Sequence, residues 1–169
     1  MNIRRPNRVT RTYTQRLLAS PSKVFPLLCP VREADWIDGW TPLLVISKSG
    51  VAEPDCVFIT DANPEDAIWY VTRHDAGRGV VEMIKITPEV TACKLTIRVR
   101  SARPGSEAEV TYSHTSLGPL GDTFIASFTE EYYIQFMREW EERMNHYLKH
   151  GTVRRAGDPV EPQEVRREK

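Results

Sequence analysis

The chain has little of what most often announces a function. Its three cysteines, Cys29, Cys56 and Cys93, include no C-x-x-C pair. An odd, scattered set is neither a disulfide framework nor a zinc ribbon, and it suits a reducing compartment. Neither sign of charge is in excess: 23 Lys and Arg face 23 Asp and Glu. That argues against a general nucleic-acid or membrane-surface binder, since both need surplus positive charge. No apolar run approaches the roughly 18 residues of a membrane span. The basic start, Met1 to Arg8, has no apolar segment behind it and is not expected to act as a secretory signal. G-x-S-x-G, P-loop and G-x-G-x-x-G patterns are missing, which removes the commonest hydrolase, nucleotide and dinucleotide readings. A soluble, cytoplasmic protein without cofactor, nucleic-acid partner or membrane insertion is expected.

What is present fits one domain. The 169 residues are 40% hydrophobic and 27% charged, ordinary values for a globular chain. Val9 to Leu18 is rich in Thr, Tyr and Val and reads as a strand. Ser20-Pro21-Ser22 can then open a short helix over Lys23 to Leu28, followed by a helical turn at Arg32 to Ile37. After Pro42 six strands follow in tandem, separated by turn signals: 43–47, 56–61, 67–74, 80–87, 90–100 and 107–116. Gly121-Asp122-Thr123 begins one long helix with Asp122 or Thr123 as N-cap, and Gly151 ends it. Ile125, Phe128, Tyr132, Phe136, Trp140, Met144 and Tyr147 form its apolar stripe. The fold class is therefore α+β: a seven-stranded antiparallel sheet, two short helices after the first strand, and a long C-terminal helix over one face. The domain spans 9–150, with 1–8 and 152–169 as flexible charged tails.

This order of elements, with Ala19-Ser20-Pro21-Ser22-Lys23-Val24-Phe25, Trp36-Ile37-Asp38-Gly39-Trp40 and Glu139-Trp140-Glu141, resembles the helix-grip superfamily of START-related, birch-pollen-allergen-like and polyketide cyclase-like proteins, known as SRPBCC. The resemblance covers about residues 9–150. It implies a curved sheet gripping the last helix, with a cavity between them for lipids, hormones or aromatic polyketides. Some members catalyse cyclisation or dehydration, so the resemblance carries a fold and a cavity further than an activity.

Turn positions suggest which residues line that cavity. Pairing Arg100 with Glu107 sets Ile97 opposite Val110, Leu95 opposite Tyr112 and Cys93 opposite His114 on one face. A two-residue loop at Pro88-Glu89 sets Ile84 opposite Cys93 and Glu82 opposite Leu95. A tight loop at Ala76-Gly77 sets Trp69 opposite Ile84, with Arg73 diagonal to Glu82 and Phe58 opposite Trp69. The expected lining is Phe58, Trp69, Val71, Arg73, Glu82, Ile84, Cys93, Leu95, Ile97, Val110, Tyr112 and His114. Phe128, Tyr132 and Phe136 roof it from the helix. A one-residue slip would instead bring in Tyr70, Thr72, His74, Met83 and Lys85. In the first register Arg73 and Glu82 form an internal ion pair, and Tyr112 and His114 bond a ligand oxygen.

Each candidate has a plainer reading. His114 and Tyr112 are the candidates for proton transfer, yet each can equally be a packed, hydrogen-bonded side chain. Trp36 and Trp40 can form a lip over the pocket or anchor the short helices. His146 and His150 share a helix face, but Tyr147 stands where H-E-x-x-H needs Glu, and the helix dipole accounts for both; no metal site is assigned. The leading expectation is a module that binds a small, largely apolar molecule. The alternatives are a cyclase or dehydratase-like enzyme using the same cavity, and a structural protein whose cavity is filled by side chains. A homodimer is left open.

Overall fold

A computed structural model describes residue 1 and residues 3–155; the expected tail over 156–169 lies outside the described residues. Seven strands form one antiparallel sheet: β1 (Arg8–Leu17), β2 (Leu44–Ile46), β3 (Val57–Thr60), β4 (Ala67–Asp75), β5 (Val80–Thr87), β6 (Thr91–Ser101) and β7 (Ser106–Ser116). Their order is β1-β7-β6-β5-β4-β3-β2, so β1 crosses to pair with β7 and the rest is a meander. Between β1 and β2 lie α1 (Pro21–Val24), which tightens into a 3₁₀ turn over Phe25–Leu27, and a second 3₁₀ turn, Arg32–Asp35. The chain closes with α2 (Pro119–Ser127) and α3 (Glu130–His150).

The single long helix expected from Gly121 onward is thus two helices. Phe128 leaves the helical region at ψ 60, and Thr129 becomes a new N-cap whose side chain accepts from the Tyr132 amide. Phe128 is buried there, so the chain gives up two helical residues to drive an aromatic ring into the core. The interruption also moves the buried stripe of α3 to Tyr133, Met137 and Met144. Tyr132, drawn into the roof by a stripe running through the break, is 55% exposed. Gly151 ends α3 at φ 69, the left-handed C′ position its sequence suggested.

α3 lies along β1. Arg11 Nε donates to the Phe128 carbonyl (3.4 Å), Gln15 Nε2 to the Met137 carbonyl (3.1 Å) and Asn145 Nδ2 to the Arg16 carbonyl (2.8 Å). α2 packs on β7, and Gly121 lies so close to the β5–β6 turn that a Cβ there would come 2.0 Å from the Val90 carbonyl oxygen. Trp36 Nε1 bonds the Leu27 carbonyl, Trp40 Nε1 the Pro30 carbonyl, and Trp36 meets Trp140 of α3 edge to face at 5.3 Å. Both tryptophans therefore anchor the short helices. At the ends, Asn7 bonds Asp122 and its carbonyl accepts from the Ser116 amide, while Arg154 bonds Glu142.

The β6–β7 register runs from Arg100↔Glu107 to Cys93↔His114 as the turn at 103–105 implies, and Phe58 sits opposite Trp69. The β5 register differs from expectation. The link to β6 has three residues, not two: Thr87–Val90 is a turn closed by the Val90 amide on the Thr87 carbonyl, with Pro88 second and Glu89 third at φ 61. That geometry is a type II turn, with positive φ at its third position. The extra residue slips β5 by one, so Met83 faces Leu95 and Lys85 faces Cys93. On β4 the loop to β5 spans Ala76–Gly79, and a bulge falls between Val71 and Arg73. Trp69 and Val71 keep their expected face, while beyond the bulge Arg73 and Glu82 point to the other side and His74 and Val81 point in. Ile84 likewise leaves the expected lining.

Candidate functional site

The concave face beneath the helices is built in rows, because paired residues on neighbouring strands share a face. The row nearest the β5–β6 turn runs Val9, His114, Cys93, Lys85, Trp69, Phe58. The next runs Arg11, Tyr112, Leu95, Met83, Val71, and a third Tyr13, Val110, Ile97, Val81, His74. Phe58, Trp69, Leu95, Tyr112, His114 and Phe128 are buried together, with Phe136 packed against them. Of the residues expected to line the site, Arg73, Glu82, Ile84 and Tyr132 do not join them. Arg73 stands opposite Glu82 but on the convex face, and its ion pair is with Asp75 at 3.0 Å.

Under the α2–α3 junction the aromatic groups close on His114. Its ring lies 4.8 Å from Phe124, 4.7 Å from Phe128 and 5.7 Å from Tyr112. Its Nδ1 is buried without a hydrogen-bond partner. Burial, helped by the positive charge of Lys85, pushes its pKa down to about 4, so at neutral pH the ring is uncharged. Tyr112 is buried against Tyr133 and Phe136, and burial holds its hydroxyl in the neutral form. Tyr133 donates its hydroxyl to the Val110 carbonyl at 2.7 Å.

At the other end of the first row, Trp69 stacks on Phe58 at 5.2 Å and donates its indole N–H to Thr60 Oγ1. The Lys85 ammonium lies 4.9 Å from the Trp69 ring centroid, a cation–π distance. Desolvation lowers its pKa. In the third row, His74 packs on Phe25 at 4.7 Å with its buried Nε2 unpartnered, and burial lowers its pKa as well.

Three inward polar residues escaped the sequence reading. Glu33, from the second 3₁₀ turn, is buried, and desolvation pushes its carboxyl up to about 8. It lies near enough to Tyr112 to raise that hydroxyl further. Arg11 and Gln15 come from β1, whose alternation Val9-Arg11-Tyr13-Gln15-Leu17 would have named them once β1 was paired with β7. Nothing local in Arg32-Glu33-Ala34-Asp35 tells which carboxylate turns inward. A separate open cleft of about 610 Å³ lies at the end of α3, lined by Asp35, Tyr147, Gly151, Thr152, Val153 and Arg155.

This arrangement has the helix-grip fold, which solved structures share at low sequence identity. An uncharacterised protein from Rhizobium leguminosarum matches with a TM-score of 0.60 and 12% identity over 88% of this chain and 99% of its own. Norcoclaurine synthase from Thalictrum flavum, solved with dopamine and hydroxybenzaldehyde, matches with a TM-score of 0.62 and 12% identity over 86% of this chain and 89% of its own. A protein of the dynemicin biosynthetic locus matches with a TM-score of 0.56 and 14% identity over 86% of this chain and 51% of its own. The chain thus shares its fold with these solved structures. No protein-family profile matches it, and no curated protein does. Among the described residues no helix is long and apolar enough to cross a membrane.

Proposed function

We propose that the chain binds a small, largely apolar molecule between the sheet and its last two helices. One observation carries this reading. Polar atoms with no partner among the described residues, His114 Nδ1 and His74 Nε2, lie on a concave face made mostly of apolar and aromatic side chains. Buried polar groups are nearly always hydrogen-bonded, and each exception asks for a partner. A ligand atom is such a partner, and a mostly apolar lining with a few convergent polar groups is the usual makeup of a small-molecule site. Apolar contact supplies affinity at about 25 cal/mol per Å². His114 and Tyr112 supply orientation, Tyr112 as a hydroxyl donor and His114 as a neutral imidazole.

A specific observation also favours a second reading, a core filled by side chains. Tyr112, Tyr133, Phe136, Phe128 and Phe124 already touch one another beneath the α2–α3 junction. Native mass spectrometry of freshly purified protein, followed by denaturing extraction, separates the two. A discrete molecule held at fixed stoichiometry is the expected result. A bare protein whose melting temperature is unmoved by saturating aromatic alcohols and acids would leave the filled core.

A further inference from the structure

Lys85 occupies an odd position for a lysine. It projects from the middle of a seven-stranded sheet onto the concave face, between Cys93 and Trp69. Among the described residues it enters no ion pair and donates no side-chain hydrogen bond; its contact is the Trp69 ring. A desolvated ammonium without a counter-ion is costly, and such groups ordinarily face a carboxylate. The carboxyl groups that approach this face do not serve. Glu33 lies by Tyr112 and stays protonated near neutral pH. Glu141 sits at the β1 edge beside Tyr13 and Arg16, its pKa raised by burial.

The groups that feel Lys85 are Cys93 and His114. Burial pushes the Cys93 thiol up to about 12, so it stays neutral, and His114 is neutral as well. Arg11, on β1 three strands from β5, has its Nε committed to the Phe128 carbonyl and its charge coupled to the Glu131 carboxylate. Among the described residues the concave face therefore presents the Lys85 ammonium with no carboxylate paired to it.

We propose that the molecule bound here carries a carboxylate, which docks on the Lys85 ammonium while its apolar body lies against Phe58, Trp69 and Leu95. The inference rests on the reading that this face holds a small molecule, and it names that molecule's class as an apolar acid. Charge-assisted hydrogen bonds contribute more than neutral ones, so the acid gains over its uncharged isostere.

Three probes of one shape test it: 1-naphthoic acid, 1-naphthalenemethanol and 1-naphthylmethylamine, titrated calorimetrically at pH 7 into the wild type and Lys85→Met. The wild type should bind the acid about tenfold or more tighter than the alcohol, and the amine weakest. Lys85→Met keeps the stem's length and apolar character, so it should bind the alcohol as before and lose the preference for the acid. Lys85→Arg should keep that preference. If the Met variant fails to melt cooperatively, Lys85→Gln is read in its place. An alcohol bound as tightly as the acid, or a preference that survives Lys85→Met, overturns the carboxylate and leaves the binding reading standing. A wild type that binds none of the three overturns both.

Discussion

The two halves of the sheet solve the same problem in opposite ways. In β1, β7 and β6 the convex face is polar and cross-bonded: Arg8 to Thr115, Thr10 to Ser113, Thr12 to Thr111 and Arg100 to Glu107. Their concave face is covered by α3 along β1 and α2 along β7. In β5 to β2, away from Arg73 and Glu82, the convex face is apolar. Leu44, Ile59, Ile68 and Ile86 form one cross-strand row, and Ile46, Val57, Tyr70 and Ile84 the next. Leu44, Ile46, Ile68 and Tyr70 are exposed. Clean alternation marks a strand with one wet and one dry face, whereas apolar residues on both faces leave the phase unwritten.

That contrast explains what could be read from the sequence. Arg98, Arg100, Glu107 and Glu109 could only face water, so the β6–β7 pairing and the inward placing of Cys93, Leu95, Tyr112 and His114 followed from alternation. On β5, Val80-Val81-Glu82-Met83-Ile84-Lys85-Ile86 suits either phase, and the choice fell to a turn whose length depends on Glu89 adopting a positive φ. The bulge on β4 has no composition signal at all. It kept Trp69 and Val71 in place and exchanged Arg73 for His74 two residues later. Glu33 was invisible because a four-residue 3₁₀ turn has no periodicity to extend.

The sharpest test of the contrast is in the covered half. Tyr133→Ala removes a fully buried ring and its bond to the Val110 carbonyl, and should lower stability by about 3–5 kcal/mol in urea denaturation.

Titration should expose the same dry interior. His114 has its pKa lowered from 6.5 to about 4, so between those values the unfolded chain binds more protons than the native one. Stability must therefore rise with pH across that window, by roughly 2–3 kcal/mol, with His74 adding in the same direction. Glu33 acts oppositely: the native state holds its proton from pH 4.5 to about 8, and stability falls as pH rises. Denaturation of Glu33→Gln at pH 4 to 6.5 should show a steeper rise than the wild type, and His114→Gln in that background should flatten much of it.

From pH 7 to 8, where the histidines are mostly neutral in both states, the wild type should lose about 1 kcal/mol through Glu33. Glu33→Gln should be level there, and a decline of the same slope in the variant would remove Glu33 as its cause.

The smallest effect compares two neighbours on β4. Val71→Thr, at a site with 0% exposure, should cost about 1–2 kcal/mol for its buried hydroxyl. Ile68→Thr, at a site 45% exposed on the apolar convex face, should stay within about 0.5 kcal/mol. Equal losses at the two positions would mean that the convex face is as dry as the concave one.

Gly121 links surface and site in a way that helix propensity would misjudge. Glycine inside a helix invites replacement by alanine, a stabilising change of about 1 kcal/mol in an exposed helix. Here the added methyl would meet the Val90 carbonyl at 2.0 Å and Ser116 at 2.7 Å. The helix would have to lift from the turn beneath it. Because α2 also carries Phe124, 4.8 Å from His114, lifting it would loosen the aromatic enclosure around that imidazole. A residue at the rim thus acts as a spacer of zero thickness, and its single hydrogen sets how closely the interior is shut.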